Sequence, residues 1–296
     1  MKQYLDLLQN VLDNGTRQKN RTGIDTIMIP GAMLKFDLRD GFPAITTKKL
    51  AYRSVVGELI GFLRGCDTVK EFNDLGCKVW DANATAPIWL NNPNYHDVVH
   101  FDEDDNTVSS GYLGRIYGVQ WRKWNCNQIP GKHTTLDQIE TLLHQIRENP
   151  TSRRLIVTAW RPDELDQMAL PPCHYSFQVI IEQESNVMHL LWNQRSCDLF
   201  LGIPFNIASY ATLLSILAKI TGYIPGTLTG FLADVHIYEN HIDQVKEQLS
   251  RTPLTLCQLS ISDRIKVGHY VNDINPFDIS LVDYNSHPAI KAIMAI

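Results

Sequence analysis

The residues most able to do chemistry cluster around a thiol. In Ala169-Leu170-Pro171-Pro172-Cys173-His174, two prolines hold the backbone extended just before a potential nucleophile. Cysteine with a reference pKa of about 8.5 is only a few per cent thiolate at neutral pH. A nearby guanidinium lowers that pKa and readies the sulfur to add to an electrophilic carbon. Arg195, in Gln194-Arg195-Ser196, is the candidate activator. His174 is adjacent, but successive residues of an extended strand face opposite ways, which argues against a papain-like pair. An isolated intracellular cysteine is more often a buried structural thiol. The company that Cys173 keeps is what favours chemistry.

That company is cationic and polar. Arg21, Arg153, Arg154 and Arg195 with Ser196 form a set suited to a phosphate dianion, since guanidinium forks match phosphate oxygens. Asn206 carries an amide that both donates and accepts, fitting the O4/N3 edge of a uracil-like ring; a carboxylate there would favour cytosine. His236 and Tyr238, two apart on a strand, share a face and suit a sugar hydroxyl. Glu58 lies on the apolar face made by Val55 and Phe62, where desolvation raises a carboxyl pKa towards proton-transfer duty. A structural carboxylate paired with an arginine is the equal alternative. Together these residues describe a pyrimidine nucleotide beside a nucleophilic thiol.

The elements that must position them follow from periodicity. Apolar spacing predicts helices over Tyr4 to Leu12, Ser54 to Leu63, Leu136 to Ile146 and Asn206 to Thr221, the last apolar nearly all round and stopped at Gly222. Strands are expected over Leu155 to Trp160 and Ala233 to Tyr238. A hairpin is expected in Thr26 to Leu38 around Pro30-Gly31, and another joins Ser176 to Ile181 with Val187 to Trp192. Val79-Trp80 presents an aromatic at a turn. The Pro-, Asn- and Asp-rich residues 84–111 read as a surface insertion. With no linker or repeat, residues 1–296 read as one α+β domain.

Bulk properties narrow the class. The 296 residues carry a net charge of -5, against the basic footprint of a general nucleic-acid binder. Cys66, Cys77, Cys126, Cys173, Cys197 and Cys257 form no CxxC pair, which suggests free thiols in a reducing compartment and no zinc site. Neither GxGxxG nor GxxxxGK[ST] occurs. The N-terminus lacks a signal peptide's apolar core, and no run of about 18 apolar residues is expected to span a bilayer. A cytoplasmic location is the expectation.

Three segments resemble the thymidylate synthase family: Ala169-Leu170-Pro171-Pro172-Cys173-His174, Gln194-Arg195-Ser196-Cys197-Asp198, and Gly202-Ile203-Pro204-Phe205-Asn206-Ile207-Ala208-Ser209-Tyr210. The likeness runs from Met1-Lys2-Gln3-Tyr4 to His287-Pro288-Ala289-Ile290-Lys291. It implies an α+β fold with a large, mostly antiparallel mixed sheet packed by helices, one sheet face lying at a homodimer interface. It implies reductive methylation of dUMP by 5,10-methylenetetrahydrofolate, giving dTMP and dihydrofolate, with no metal. Cys173 would add to C6 of the uracil, Glu58 would manage protons through water, and Tyr117 would help remove the C5 proton. Arg195 would support the thiolate and bind phosphate with Arg21 and Ser196, while Arg153 and Arg154 would reach the other subunit's phosphate site. Asp198 and Asn206 would orient uracil, and His236 and Tyr238 would hold the 3′-hydroxyl. Val79, Trp80, Asp198, Gly202 and Phe205 would contact folate, and Ile296 would close over the complex. No DNA or membrane partner is implied; an accessory RNA-binding role stays open.

The chain departs from the family pattern at Gly57, Gly61, Asn193 and Ala233 and in the length of residues 84–111. Glycines on both sides of Glu58 are expected to loosen its packing and admit water. Such water would favour a deoxyuridylate 5-hydroxymethylase on the same scaffold, the runner-up activity. A catalytically silent nucleotide- or RNA-binding protein is the reading from a different class.

Overall fold

A large sheet and the helices covering one of its faces account for most of the chain. The computed structural model describes residues 1–96, 99–101, 107–129 and 132–294. In chain order the helices are α1 (Lys2–Asn14), α2 (Tyr52–Arg64), α3 (Val69–Asp74), α4 (Asp81–Ala84), α5 (Pro87–Leu90), α6 (Tyr117–Arg122), α7 (Gln138–Glu148), α8 (Gly202–Thr221) and α9 (Ile242–Leu249). The strands are β1 (Thr16–Gln18), β2 (Thr26–Asp37), β3 (Val99–Phe101), β4 (Thr107–Ser109), β5 (Trp124–Ile129), β6 (Lys132–Leu136), β7 (Ile156–Thr158), β8 (His174–Glu182), β9 (Val187–Asp198), β10 (Ile224–Tyr238), β11 (Gln258–Ile261) and β12 (Ile279–Val282). Among the described residues the main sheet runs β1-β2-β10-β9-β8-β7, parallel at β10–β9 and antiparallel elsewhere. The α+β expectation of a mixed sheet packed by helices holds.

Alternation along the strands sorts the two faces. Phe36, Leu228, Leu190 and Val179 follow one another across the register and are buried, as are Trp192 and Phe177. On the opposite face Met33 pairs Phe231, and Ile156 and Ile180 continue the same side; all four are exposed apolar side chains. Residues 84–111 include α5, whose Trp89 is 1% exposed and donates its indole N–H to the Tyr112 carbonyl at 2.7 Å.

The expected hairpin at Pro30-Gly31 does not form. β2 runs from Thr26 to Asp37 and pairs β10 from Thr26 to Pro30 and again from Ala32 to Asp37. The β1 pairing ends at Met28, so Pro30 lies where β2 has become the sheet edge and a missing N–H costs no ladder bond. α8 starts four residues earlier than expected, because Pro204 is tolerated within a first turn. It ends as expected on Gly222 at φ +85°, a left-handed cap. Contrary to the expectation of no membrane-length run, α8 is long and apolar enough to cross a bilayer; 83% of that window is buried within the protein, the mark of a core helix.

The glycines beside Glu58 also behave differently from expectation. A Cβ on Gly61 would stand 2.3 Å from the Phe72 ring, and one on Gly57 would stand 2.5 Å from the Leu75 carbonyl oxygen. Both glycines admit neighbouring groups into van der Waals contact with α2. They tighten the packing around Glu58 instead of opening it to water.

Candidate active site

Cys173 sits immediately before β8, partly buried, between α6 and the end of β9. Its backbone N–H donates to the Tyr117 hydroxyl oxygen at 2.7 Å, and its carbonyl accepts the Arg195 N–H at 2.8 Å. The proline pair explains how Arg195 is held. Extended carbonyls of Pro172 and Pro171 accept from Arg195 Nε and Nη2, each at 2.9 Å. The expected lowering of the Cys173 pKa is not the net result. Burial pushes the thiol up, and Arg195, the Tyr117 hydroxyl and Arg21 oppose that without reversing it.

His174 is spent elsewhere. Its ring is buried, Nδ1 lies 2.9 Å from the Tyr210 hydroxyl, and the Tyr117 ring lies 4.4 Å away. Burial drives its pKa down to about 3, so it is neutral at physiological pH. Tyr117 stacks on Phe62 at 4.8 Å, and burial holds its phenol pKa well above the ordinary value.

Glu58, on α2, is 6% exposed. Burial raises its pKa to about 8, offset in part by a 3.0 Å hydrogen bond from Trp80 Nε1. Of the two readings for this carboxylate, the arginine-paired one fails; its partner is an indole. Trp80 packs against Phe62, Phe72 and Tyr117 and is almost wholly buried, while Val79 beside it is partly exposed.

The residues proposed for a nucleotide gather around the β9–α8 junction and the end of β10. Asp198 Oδ1 accepts from the N–H groups of Phe200 and Leu201 at 2.9 and 3.3 Å, and among the described residues Oδ2 accepts no hydrogen bond. Gly202 lies close to both Asp198 and Asn206, and Phe205 is partly exposed beside them. Asn206 Oδ1 accepts from Gln194 Nε2 at 3.0 Å, which fixes the amide and frees Nδ2 to donate. His236 pairs Asp198 across the parallel register, and Ser196 pairs Asp234. His236 Nδ1 lies 3.0 Å from Asp234 Oδ1, leaving Nε2 available, with the Tyr238 ring 5.1 Å away. Arg21 rides the exposed loop between β1 and β2, close enough that its charge acts on both Cys173 and Tyr238.

Arg153 and Arg154 do not join this group. The Arg153 carbonyl accepts from Gln178 Nε2 at 3.2 Å, and Gln178 lies five residues along β8 from Cys173, roughly 17 Å at strand rise. Both side chains are exposed. Their backbone therefore starts well along the sheet from Cys173, away from the residues that flank it. Ile296 lies outside the described residues. Among the described residues no cluster of three or more His, Cys, Asp or Glu could hold a metal ion.

Three contributors escaped the sequence reading. Gln194 orients Asn206 and accepts from Trp192 Nε1 at 3.1 Å; its adjacency to Arg195, on the opposite strand face, was the available signal. Tyr210, four residues after Asn206 on α8, holds His174. Lys48 is buried, donates to the Phe200 carbonyl and sits 3.5 Å over that ring; burial lowers its pKa to about 8 against the pull of Asp198. Nothing in its local sequence announced this.

A family model described as thymidylate synthase matches residues 2–296. Over the full length of both chains the protein is 42% identical to the thymidylate synthase of Pseudomonas syringae pv. tomato, 43% to that of Pseudomonas putida and 42% to that of Malacoplasma penetrans. An extended match of that kind, on a site built around Cys173, places the chain in the thymidylate synthase family.

Proposed function

We propose that this chain catalyses the reductive methylation of dUMP to dTMP. The cosubstrate 5,10-methylenetetrahydrofolate supplies the one-carbon unit and the hydride and leaves as dihydrofolate. The observation that carries the reading is the joint hold on Cys173: Tyr117 on its N–H, and Arg195 on its carbonyl and on the prolines before it.

Cys173 attacks C6 of the uracil ring. Because burial keeps the thiol protonated, its proton passes through water to O4 as the C–S bond forms and the C5=C6 electron pair moves into the enol, with Arg195 stabilising the negative charge that develops on sulfur. Addition at C6 makes C5 nucleophilic. Asn206 Nδ2 donates to O4 while a remaining Oδ1 lone pair accepts N3–H, and Asp198 Oδ2 holds the ring beside it. Glu58, protonated up to a pH of about 8, supplies and recovers a proton through water. Tyr117 stays a phenol at neutral pH, so it relays the C5 proton as a hydroxyl. Arg21, Arg195 and Ser196 take the phosphate, and His236 Nε2 and the Tyr238 hydroxyl take the 3′-hydroxyl. Val79, Trp80, Asp198, Gly202 and Phe205 line the folate side, and Ile296 closes it.

The working unit is a homodimer in which Arg153 and Arg154 complete the partner's phosphate site. Their separation from Cys173 within one chain and the open apolar sheet face of Met33, Phe231, Ile156 and Ile180 support this. The chain is read as one catalytic domain with a surface insertion at 84–111. All six cysteines are free, which supports a cytoplasmic setting. Incubation with dUMP and methylenetetrahydrofolate tests the reaction: dTMP with dihydrofolate is expected, and hydroxymethyl-dUMP with tetrahydrofolate overturns it. Cys173→Ala abolishes turnover while dUMP binding remains measurable.

A further inference from the structure

The loop that carries Arg21 is fastened at its base by an ionic clasp. Arg17, on β1, forks onto Glu239: Nη2 meets Oε2 and Nε meets Oε1, each at 2.8 Å. The same Nε lies 3.1 Å from Asp25 Oδ2. Asp25 closes the Arg21 loop just before β2 begins, and Glu239 directly follows Tyr238. The two carboxylate-bearing residues are themselves joined, the Glu239 N–H donating to the Asp25 carbonyl at 2.9 Å. Within the loop, Asn20 Oδ1 accepts from the Thr22 N–H and hydroxyl at 2.9 and 2.7 Å, and Asn20 Nδ2 donates to the Ile24 carbonyl at 2.7 Å. The loop is internally braced, so its placement depends on how its base is held.

Backbone pairing holds that base weakly. β1 pairs β2 at three positions, Thr16, Arg17 and Gln18, and is the sheet's outermost strand there. Arg17 adds a side-chain tie from β1 across the loop's exit to the end of β10, the strand that presents His236 and Tyr238. Its fork gives the tie direction as well as charge.

We propose that Arg17, through Asp25 and Glu239, is a positioning residue for nucleotide binding. It sets Arg21 at a fixed distance from the His236–Tyr238 pair, so that phosphate and sugar are gripped in register. The proposal rests on the reading of Arg21 as a phosphate ligand. Arg17 itself touches neither substrate nor the reacting atoms. Its side chain is 67% exposed, so solvent weakens the tie, and the expected effect is a few-fold change and not a loss of activity.

The test is steady-state kinetics on the full-length enzyme. Arg17→Ala and Glu239→Gln should each raise the KM for dUMP about threefold, while kcat and the folate KM stay within about 1.5-fold. The double variant should be no worse than the more severe single one, since both break the same tie. Arg17→Lys should restore part of the loss. The difference from wild type should shrink as salt rises from about 0.05 to 0.5 M. An unchanged dUMP KM, additive single effects, or a fall in kcat equal to any KM change overturns the clasp. Arg21→Ala separates the two layers: no rise in dUMP KM sinks the phosphate reading, whereas a rise with Arg17→Ala silent sinks the clasp alone.

Discussion

The Trp80 indole donates to Glu58 Oε1 at 3.0 Å, with both side chains buried against Phe62 or its helix. Burial raises the carboxyl pKa and the indole N–H restrains that rise. Trp80→Phe keeps the ring packing and removes the donor. The Glu58 pKa should then climb above about 8, moving the alkaline limb of the kcat–pH profile upward by about half to one unit. An unmoved limb would show that this carboxyl does not govern the profile.

Glu58 also links pH to stability. Its folded pKa, about 8, lies above the ordinary 4.5, so the folded state binds the proton more tightly than the unfolded state. The resulting stabilisation is full below about pH 4.5 and is lost as pH rises through about 8. Glu58→Gln retains an acceptor for Trp80 and cannot ionise. Its unfolding free energy, compared with wild type by chemical denaturation between pH 5 and 9, should gain on the parent as pH rises, by about 1–3 kcal/mol at the alkaline end.

His174 acts with the opposite sign. Its pKa falls from 6.5 to about 3, so the folded state excludes a proton that the unfolded state accepts below 6.5. Stability attributable to His174 is present above pH 6.5 and drains away towards pH 3. Tyr210→Phe, which removes its hydrogen-bond partner, should lower stability by about 1–2 kcal/mol at pH 7 in chemical denaturation. A Tyr210→Phe enzyme as stable as wild type would mean that the 2.9 Å contact contributes nothing.

The separation of Arg153 and Arg154 from Cys173 predicts subunit complementation. Cys173→Ala and the Arg153→Ala/Arg154→Ala double variant should each be nearly inactive alone. Mixing them through unfolding and reassembly should return about a quarter of wild-type activity, because random pairing leaves one intact site in each mixed dimer. No recovery, with dimers verified by sedimentation, would count against shared sites.

Gly61 and Phe72 form a complementary pair, the ring occupying the space a Cβ would need. Gly61→Ala should destabilise the protein by about 1–3 kcal/mol in denaturant unfolding. Phe72→Leu in the same chain should recover part of that loss, since the shorter side chain withdraws from the contact. Purely additive losses would mean the two positions do not share this space.

Residue type and spacing alone determined a good deal here. The helix carrying Glu58, the buried all-apolar helix ending at Gly222 and the β8–β9 hairpin were all legible locally, and residue type alone pointed to Cys173, Arg195, Asn206 and His236 as the groups to which chemistry is assigned. Periodicity and donor–acceptor capacity are properties of a short window. Tertiary structure decided the rest. Pro30-Gly31 reads as a turn in isolation, but pairing with the long β10 on either side of Gly31 carries β2 on through it. Gly57 and Gly61 read as loose packing until Leu75 and Phe72, which lie beyond the helix that carries the glycines, fill the space beside them. The balance at Cys173, where burial outweighs Arg195, and at Glu58, where an indole is the partner, depends on how much solvent each group loses. Desolvation belongs to the assembled core, and no stretch of sequence carries it.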